Sequence, residues 1–196
     1  MLSFFVERDV QHISELNLSQ SSIRQKWRVD LVNGASYFLK ALDPEAAEGL
    51  AGLKVVDTDG LEVRAIMPVH IENNIAVYPW VEGRAYLRYL LQGIVFKRSL
   101  MQAQLYSLGG WLSNFHRQQT LPGNWMQLPG HEQQALSSVI DPALLNGQVI
   151  VKCFNDFTLR NILLLDNEQL MIVDLDAAFH KKFVNYCLPS HDLAIF

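Results

Sequence analysis

Three oxygen-bearing side chains towards the carboxyl end of the chain have the types and the spacing of a cation site. Asp156 is followed by Asn161, which directly precedes the apolar run 162–165, and Asp174 directly follows a second apolar run, 170–173. If the two runs pair as a hairpin, Asn161 and Asp174 lie at the same open end, which Asp156 reaches through the loop before it. Two carboxylates and an amide oxygen at one point suit a hard cation such as Mg²⁺.

The elements that must position these residues begin with a strand-rich first part, from about residue 10 to 82. Its short strand patterns are 26–32, 36–42, 62–68 and 75–81. Asn33 and Gly34 between the first two predict a hairpin turn. Asp43, Pro44 and Glu45 predict a helix start that continues to about residue 53, with Asp as the N-cap and Pro at the first helical position.

After Gly83 the pattern becomes helical. Apolar residues at alternating spacings of four and three predict an amphipathic helix that ends near His116; they are Met101, Leu105, Leu108, Leu112 and Phe115. Prolines and glycines across 119–147 predict loops and short helices, and 149–175 reads as strand, loop, strand, turn, strand, with the turn at 166–169. The expected fold class is α+β, with a small β-rich lobe over 1–82, a connector near 79–84 and a mostly helical lobe over 83–196. A cleft between two such lobes is a natural place for a ligand.

Composition excludes several classes of function. With 196 residues, 49% apolar and 18% charged, the chain is globular rather than disordered. A net charge of -4 gives no reason to expect nucleic acid or an anionic membrane as the main partner. No apolar run is long enough to predict a transmembrane segment, and the first ten residues do not form a convincing signal peptide. Two cysteines, Cys153 and Cys187, cannot build a disulfide framework or a four-ligand zinc site, so we expect a reducing, cytoplasmic location.

The spacing of Asp156, Asn161 and Asp174 resembles the catalytic and metal-binding loops of the protein-kinase-like superfamily. The resemblance is strongest to its small-molecule branch: aminoglycoside phosphotransferases, choline kinases and lipopolysaccharide-core sugar kinases. Other matching segments, in chain order, are the lysine strand at 37–40, the interlobe hinge at 76–83, the helix at 108–116 and the Asp-Leu-Ala segment at 190–194 that supports the catalytic loop. The resemblance runs from about residue 14 to the end of the sequence.

The resemblance implies roles for the three polar residues. Asp156 is the expected base that orients the acceptor hydroxyl, while Asn161 and Asp174 are expected to hold Mg²⁺ against the nucleotide phosphates. Asp176 is a possible further ligand, and Asp192 is expected to be structural, accepting hydrogen bonds from backbone N–H groups. The alternative for Asp156 and Asn161 is that they only cap a turn through local hydrogen bonds.

The resemblance also implies a nucleotide site in the first lobe. Lys40 is expected to pair with the α- and β-phosphates of ATP, with Glu45 or Glu48 as the carboxylate partner of the lysine. Backbone groups near Pro79 and Val81 are expected to hydrogen-bond adenine, and Tyr78 is expected to lie behind it. The cofactors implied are therefore ATP and Mg²⁺.

Three departures from the family pattern bear on activity. The Gly-rich phosphate loop is absent, since the first glycine is Gly34 and the serine-rich segment 18–25 stands in its place. Phe154 replaces the histidine usual two residues before the catalytic Asp. Only four residues separate Lys40 from Glu45, fewer than usual before the helix that supplies the lysine's partner.

The sequence favours an ATP-dependent phosphotransferase acting on a hydroxyl of a small molecule or a lipopolysaccharide-type sugar. The alternatives are a catalytically inactive pseudokinase that serves as a binding module and, third, an atypical protein kinase. The sequence ends just after the Asp-Leu-Ala segment, which fits either a compact member or a truncated one. It names neither the acceptor nor the oligomeric state.

Overall fold

The computed structural model describes residues 2–16, 25–53, 63–93, 98–118, 125–179 and 186–195. Its strands are β1 (Val10–Glu15), β2 (Lys26–Leu31), β3 (Ser36–Ala41), β4 (Val63–Ala65), β5 (His70–Glu72), β6 (Ile75–Pro79), β7 (Arg84–Ala85), β8 (Val151–Lys152), β9 (Ile162–Leu164), β10 (Leu170–Ile172) and β11 (Tyr186–Cys187). Its α-helices are α1 (Pro44–Gly52), α2 (Tyr86–Gly93), α3 (Arg98–Gln118), α4 (Gly130–Val139), α5 (Pro142–Leu145) and α6 (Ser190–Ile195). The segment 18–25, which stands in the place of the glycine loop, lies outside the described residues except for Gln25.

The described chain forms two compact units, of which the first comprises residues up to Leu53 together with Ile66–Glu82. Its five-stranded antiparallel sheet has the order β1-β2-β3-β6-β5. The predicted hairpin between β2 and β3 is confirmed: Gly34 has φ +85°, and its N–H donates to Leu31 O at 3.0 Å. That left-handed backbone favours glycine, which explains the Asn-Gly pair. Strands β1 and β5 complete the sheet without a clear pattern in the sequence.

Helix α1 begins as predicted, with Asp43 at the N-cap and Pro44 at the first helical position. The helix buries one face through Ala46, Ala47 and Leu50. One face of the sheet packs on a separate core of buried residues, Phe5, Val29, Leu31, Leu39 and Val77. Burial of these large apolar side chains is the main stabilising term for so small a unit.

The second unit contains β4 and the chain from Gly83 onwards. Its four-stranded sheet has the order β4-β10-β9-β7, and β8 pairs separately with β11. The strand expected over 62–68 differs from the prediction in length and in partner. It covers only Val63–Ala65 and runs parallel to β10 instead of joining the first sheet. A three-residue strand carries no alternation that could have specified its partner. The functional roles assigned to lobes 1–82 and 83–196 stay a prediction.

Helix α3 matches the predicted amphipathic helix and ends two residues beyond His116. The predicted face is buried at Met101, Leu108, Leu112 and Phe115, while Leu105 is half-buried. Its two buried aromatic rings, Trp111 and Phe115, are stacked with centroids 5.6 Å apart. This face is the wall against which the loop carrying Asp156 packs.

The state of the two cysteines differs from the prediction. Cys153 and Cys187 are joined by a disulfide, with Cα atoms 6.1 Å apart, although 34 positions separate them in sequence. Their distance in space follows from the pairing of β8 with β11, which no local pattern indicated. Across the described residues, none of the helices is long and apolar enough to cross a membrane.

Candidate functional site

The β9–β10 hairpin brings Asn161 and Asp174 to one point. Ile162 pairs with Ile172 at the open end of the hairpin, and the N–H of Val173 donates to Asn161 O at 2.9 Å. Asn161 accepts this last bond and Asp174 directly follows its donor, so both residues lie at the open end, as the hairpin argument predicted. The buried side chains of Ile162 and Ile172 fix the register, because a one-residue slip would expose both.

Asp156 reaches the same end of the hairpin through the loop before it. Asn161 Nδ2 donates to Asp156 Oδ2 at 2.7 Å and to Asp156 O at 3.0 Å, and the N–H of Thr158 donates to Asp156 O at 2.8 Å. These bonds include the local turn capping that was the alternative for Asp156 and Asn161. Capping leaves one oxygen of the Asp156 carboxylate outside the Asn161 bond, so a turn and a reactive carboxylate are compatible here.

The donor chemistry of this cluster fits a hard divalent cation. Because Asn161 directs its amide nitrogen towards Asp156, its Oδ1 is the atom left to act as a ligand on the other side. Asp174 contributes a partly buried carboxylate at the adjacent position. Asp176 follows at the start of a 3₁₀ helix, Leu175–Phe179, and is 2% exposed. Mg²⁺ bound through an amide oxygen and carboxylates is consistent with its preference for oxygen ligands.

Two residues of the site have an unusual backbone conformation. Asn155 has φ +69° and Asp174 has φ +61°, the left-handed region that residues other than glycine rarely adopt. Asn and Asp tolerate it best among the other residues, yet it still costs free energy. The strain is held by the contacts around each residue, and it turns each backbone sharply beside a polar side chain of the cluster.

Asp192 fixes the backbone of the loop that carries Asp156. Its carboxylate accepts hydrogen bonds from the backbone N–H groups of Phe154 and Asn155, both at 2.8 Å, and lies 2.8 Å from His116 Nε2. Since a carboxylate only accepts, that nitrogen of His116 carries the proton. Asp192 is 0% exposed, and the expectation that it accepts backbone N–H groups is confirmed. We call this arrangement, Asp192 with His116, Phe154 and Asn155, the Asp192 clamp.

Phe154 has a packing role. Its ring is fully buried and contacts Phe115 and Phe157 edge-on, with centroids 5.9 and 5.6 Å apart. Trp111 stacks on Phe157 with centroids 6.0 Å apart, so α3 and the loop share one aromatic cluster. The departure from histidine at this position therefore replaces a polar ring with an apolar one that the surrounding aromatic side chains accommodate.

Lys152 is the last residue of β8, two residues before Phe154. No sequence pattern indicated a special role for it. Its Nζ is 4.6 Å from the ring centroid of Phe179 and 5.0 Å from that of Tyr186. Burial lowers the pKa of Lys152, and the buried Glu132 acts in the opposite direction. These partners are far apart in sequence, so only the folded chain shows that this lysine is enclosed.

In the first unit, Lys40 lies on β3 between Lys26 of β2 and Ala76 of β6. It is 5% exposed, which is rare for lysine and requires compensating partners. Of its two candidate partners on α1, Glu45 is partly buried and Glu48 is exposed. The pairing of Lys40 with either one, and its convergence with Asp156, Asn161 and Asp174 of the second unit, stay predictions.

The residues expected to surround adenine follow the end of β6. Tyr78 is buried against Phe38, with ring centroids 6.1 Å apart, whereas Pro79 is exposed and Val81 is partly buried. Pro79 has no N–H, so it offers only its carbonyl oxygen to a ligand. Trp80 between them donates its backbone N–H to Ser36 O at 2.9 Å, and the Arg28 guanidinium lies 4.4 Å from its ring centroid. Their roles towards a nucleotide stay a prediction.

Comparison with known proteins gives similarity in structure without similarity in sequence. No family model matches the chain, and no curated protein matches it. The ternary complex of streptomycin, ATP and APH(2'')-IIa is similar, with a TM-score of 0.58 and 13% identity over 93% of this chain and 69% of that one. Aminoglycoside phosphotransferase APH(2'')-Ib with bound ADP gives a TM-score of 0.54 at 13% identity, over the same shares. Choline kinase LicA from Streptococcus pneumoniae gives 0.55 at 16% identity, over 95% of this chain and 68% of that one.

The similar structures confirm the predicted fold class. The chain has an α+β fold similar to that of two aminoglycoside phosphotransferases and a choline kinase. At 13–16% identity the similarity concerns the fold, and a shared fold does not by itself establish a shared reaction.

Proposed function

We propose that the protein is a phosphotransferase that moves the γ-phosphoryl group of ATP to a hydroxyl of a small molecule or a lipopolysaccharide-type sugar. The observation that supports the proposal is the arrangement of Asp156, Asn161 and Asp174 at one end of the hairpin. Asn161 Nδ2 donates a hydrogen bond to Asp156 Oδ2 at 2.7 Å, and the Val173 N–H donates to Asn161 O at 2.9 Å. The fold it shares with ATP- and ADP-bound kinases supports the same chemistry.

In the proposed reaction the acceptor oxygen attacks the γ-phosphorus, the bond from that phosphorus to the bridging oxygen breaks, and ADP leaves with the electron pair. The acceptor hydroxyl proton passes to the Asp156 carboxylate. Asn161 Oδ1 and the Asp174 carboxylate would hold Mg²⁺, which supplies charge neutralisation on the phosphates when it is bound. Positioning and electrostatic stabilisation, more than covalent chemistry, are what this reaction requires of a protein.

On the nucleotide side, we assign Glu45 as the partner of Lys40, because Glu45 is partly buried while Glu48 is exposed. A charge-assisted bond of this kind contributes about 1.5–3 kcal/mol. Replacing Glu45 by Gln is therefore expected to weaken MgATP binding by about tenfold or more, measured by calorimetry. Equal effects of the Glu45→Gln and Glu48→Gln changes would contradict the assignment.

On the acceptor side, a cavity of about 480 Å³ in the second unit is lined by residues that include Arg84, Arg88 and Tyr89. The two elements that line it, β7 and α2, both contact the 3₁₀ turn Leu159–Asn161 that follows Asp156. Two guanidinium groups in this cavity favour an acceptor that carries an anionic group in addition to its hydroxyl. The similar structures include a complex with streptomycin and a choline kinase, which supports a small-molecule acceptor.

The first test is thermal stability with ATP, Mg²⁺, both and neither, for the wild type and for Asp174→Asn. A ligand that binds only the folded protein stabilises it by about 2.7 kcal/mol at a hundredfold excess over its dissociation constant. We expect the wild type to respond to ATP and Mg²⁺ together and the variant to lose that response. Asp166→Asn in the exposed hairpin turn is the matched control.

The second test separates catalysis from binding. Asp156→Ala is expected to lower turnover by about 10²–10⁴, the usual contribution of a general base, while the variant still binds MgATP. Turnover is followed as ADP formed in the presence of hydroxyl acceptors, including anionic sugars. A wild type that binds no nucleotide, or an Asp156→Ala change that is silent, would favour the pseudokinase alternative.

A further inference from the structure

Cys153, Cys187 and His191 bring two sulfurs and an imidazole to one point in the second unit. Their potential ligand atoms all lie within 4.8 Å of one another. Cys153 is 0% and Cys187 1% exposed, and His191 is half-buried and forms the open side of the group. The three residues come from three places, the end of β8, β11 and α6, so their meeting is a product of the fold.

The donor types of this cluster suit a single thiophilic cation. With Zn–S near 2.3 Å and Zn–N near 2.0–2.1 Å, the ligands of one tetrahedral zinc ion lie about 3.5–3.8 Å apart, a separation that the two sulfurs can reach only once the disulfide is broken. Two thiolates, a neutral imidazole and Zn²⁺ sum to zero charge, which suits the apolar surroundings of Leu136 and Ile150. Three protein ligands leave a fourth position, on the side of His191, for water.

We propose that Cys153, Cys187 and His191 form a redox-gated site for a thiophilic divalent cation, Zn²⁺ in the first instance. In the disulfide form both sulfurs are committed to each other and the site does not bind metal. A dithiol supplies two electrons and two protons, the S–S bond breaks, and two thiols form while the dithiol is oxidised to its own disulfide. Binding of the cation then displaces the two thiol protons to solvent.

The position of this site relative to the Asp192 clamp gives it a structural consequence. Cys153 directly precedes Phe154 and Asn155, whose N–H groups donate hydrogen bonds to Asp192, and His191 directly precedes Asp192. Either a disulfide or a bound cation therefore fastens the two segments that the Asp192 clamp joins. In the reduced, metal-free protein, the hydrogen bonds of the Asp192 clamp join these two segments without this second link, because the disulfide and the cation are both absent.

The experiment is a Co²⁺ titration of the whole protein after reduction with a phosphine and removal of the reductant under anaerobic conditions. We expect one equivalent of Co²⁺ to give thiolate-to-cobalt charge-transfer absorption with the d–d bands of a tetrahedral site, and Zn²⁺ to displace it. The untreated disulfide form, with no reactive thiols by thiol titration, is expected to give neither signal. Absence of the charge-transfer band in the reduced wild type would overturn the proposal.

Two variants locate the ligands. His191→Gln is expected to weaken binding by at least the roughly 10- to 100-fold that changes around a metal site cause, and to alter the d–d bands. His131→Gln, at an exposed histidine of α4, is the matched control and should bind as the wild type does. Cys187→Ser is expected to remove half of the charge-transfer intensity or all binding. His191→Gln protein with unchanged spectrum and affinity would contradict the assignment, whatever the stability of the cysteine variant.

Discussion

At the scale of single residues, Asp192 decides the geometry of the candidate site without belonging to it. Its carboxylate is fully buried and accepts two backbone N–H groups and the His116 ring N–H, each at 2.8 Å. A buried carboxylate is tolerated only when its oxygens are satisfied in this way. The loop that carries Asp156 is thus fixed by a side chain 36 positions later in the sequence, 192 against 156.

Asp192→Asn should destabilise the protein strongly. One carboxylate oxygen becomes an NH₂ group, which faces an N–H donor and leaves it unsatisfied in a buried place. Breaking a buried, charged hydrogen-bond network costs about 3–5 kcal/mol, so we expect a loss of that order in the free energy of unfolding, measured by urea denaturation. Asp166→Asn, on the exposed turn, is expected to change it by less than about 0.5 kcal/mol. A comparable stability for the two variants would show that the Asp192 clamp contributes little.

At the scale of elements, Gly83 marks a close approach between the residue that precedes β7 and strand β9. A Cβ on Gly83 would lie 3.1 Å from Leu163 Cβ, 3.1 Å from Leu164 O and 3.1 Å from Leu165 Cδ2. Two of these atoms belong to the backbone or its first side-chain carbon and cannot rotate away. Gly109, within α3, has open space at the same position.

The two glycines make a matched pair of tests. Gly83→Ala is expected to destabilise the second unit by about 1–3 kcal/mol, because overpacking displaces β9. Gly109→Ala is expected to stabilise it by about 0.5–1 kcal/mol, because alanine is the better helix former. Both are read from the same denaturation curve. A Gly83→Ala protein as stable as the wild type would mean that β9 shifts without cost.

The contact between the first residues and β5 predicts a dependence on pH. The Ser3 N–H donates to Glu72 Oε2 at 2.6 Å, and this backbone hydrogen bond is the largest cause that lowers the pKa of Glu72 from its ordinary value of 4.5. A lowered folded-state pKa means that the stabilisation is present above pH 4.5 and is lost as the pH falls through the folded-state value.

Comparing the wild type with Glu72→Gln in thermal unfolding from pH 7 to pH 3 tests this contact. The wild type should unfold at the higher temperature near neutral pH, and the difference should vanish at the acid end, where both side chains are neutral. The group is on the surface, so salt should reduce the difference. A difference that stays constant over the whole range would show that the carboxylate charge is not involved.

What the sequence could predict was local. The Asn33-Gly34 turn, the start of α1 at Pro44 and the β9–β10 hairpin each depend on residues close together in the chain, and the hairpin alone places Asn161 beside Asp174. The pairing of β4 with β10 and the meeting of Cys153 with Cys187 join segments that are far apart. Such partners are chosen by the packing of the whole unit, which short patterns do not encode.

At the scale of the whole molecule, the proposed function requires Lys40 of the first unit and Asp174 of the second to act on one nucleotide. A ligand held by both units couples residues that belong to different cores. That requirement is testable without a further structure, since energetic coupling between two side chains is measured by a double-mutant cycle.

The cycle uses Lys40→Ala, Asp174→Asn and the double variant, with MgATP affinity as the readout. We expect each single change to weaken binding by about tenfold or more and the double change to depart from additivity by about 0.5–3 kcal/mol, as residues sharing a partner do. Lys26→Ala, the register neighbour of Lys40 on β2, is the matched control. Additivity to within about 0.3–0.5 kcal/mol would place the two residues at separate sites.

The Asp192 clamp also bears on how the protein is made. Phe154 and Asn155 leave the ribosome 38 and 37 residues before the carboxylate that fixes them. At a synthesis rate of roughly 5–20 residues per second, about 2–8 seconds pass between the synthesis of these two residues and that of Asp192. The loop that carries Asp156 can therefore complete these hydrogen bonds only after Asp192 has been synthesised, and nascent chains that stop before this residue are expected to lack the Asp192 clamp.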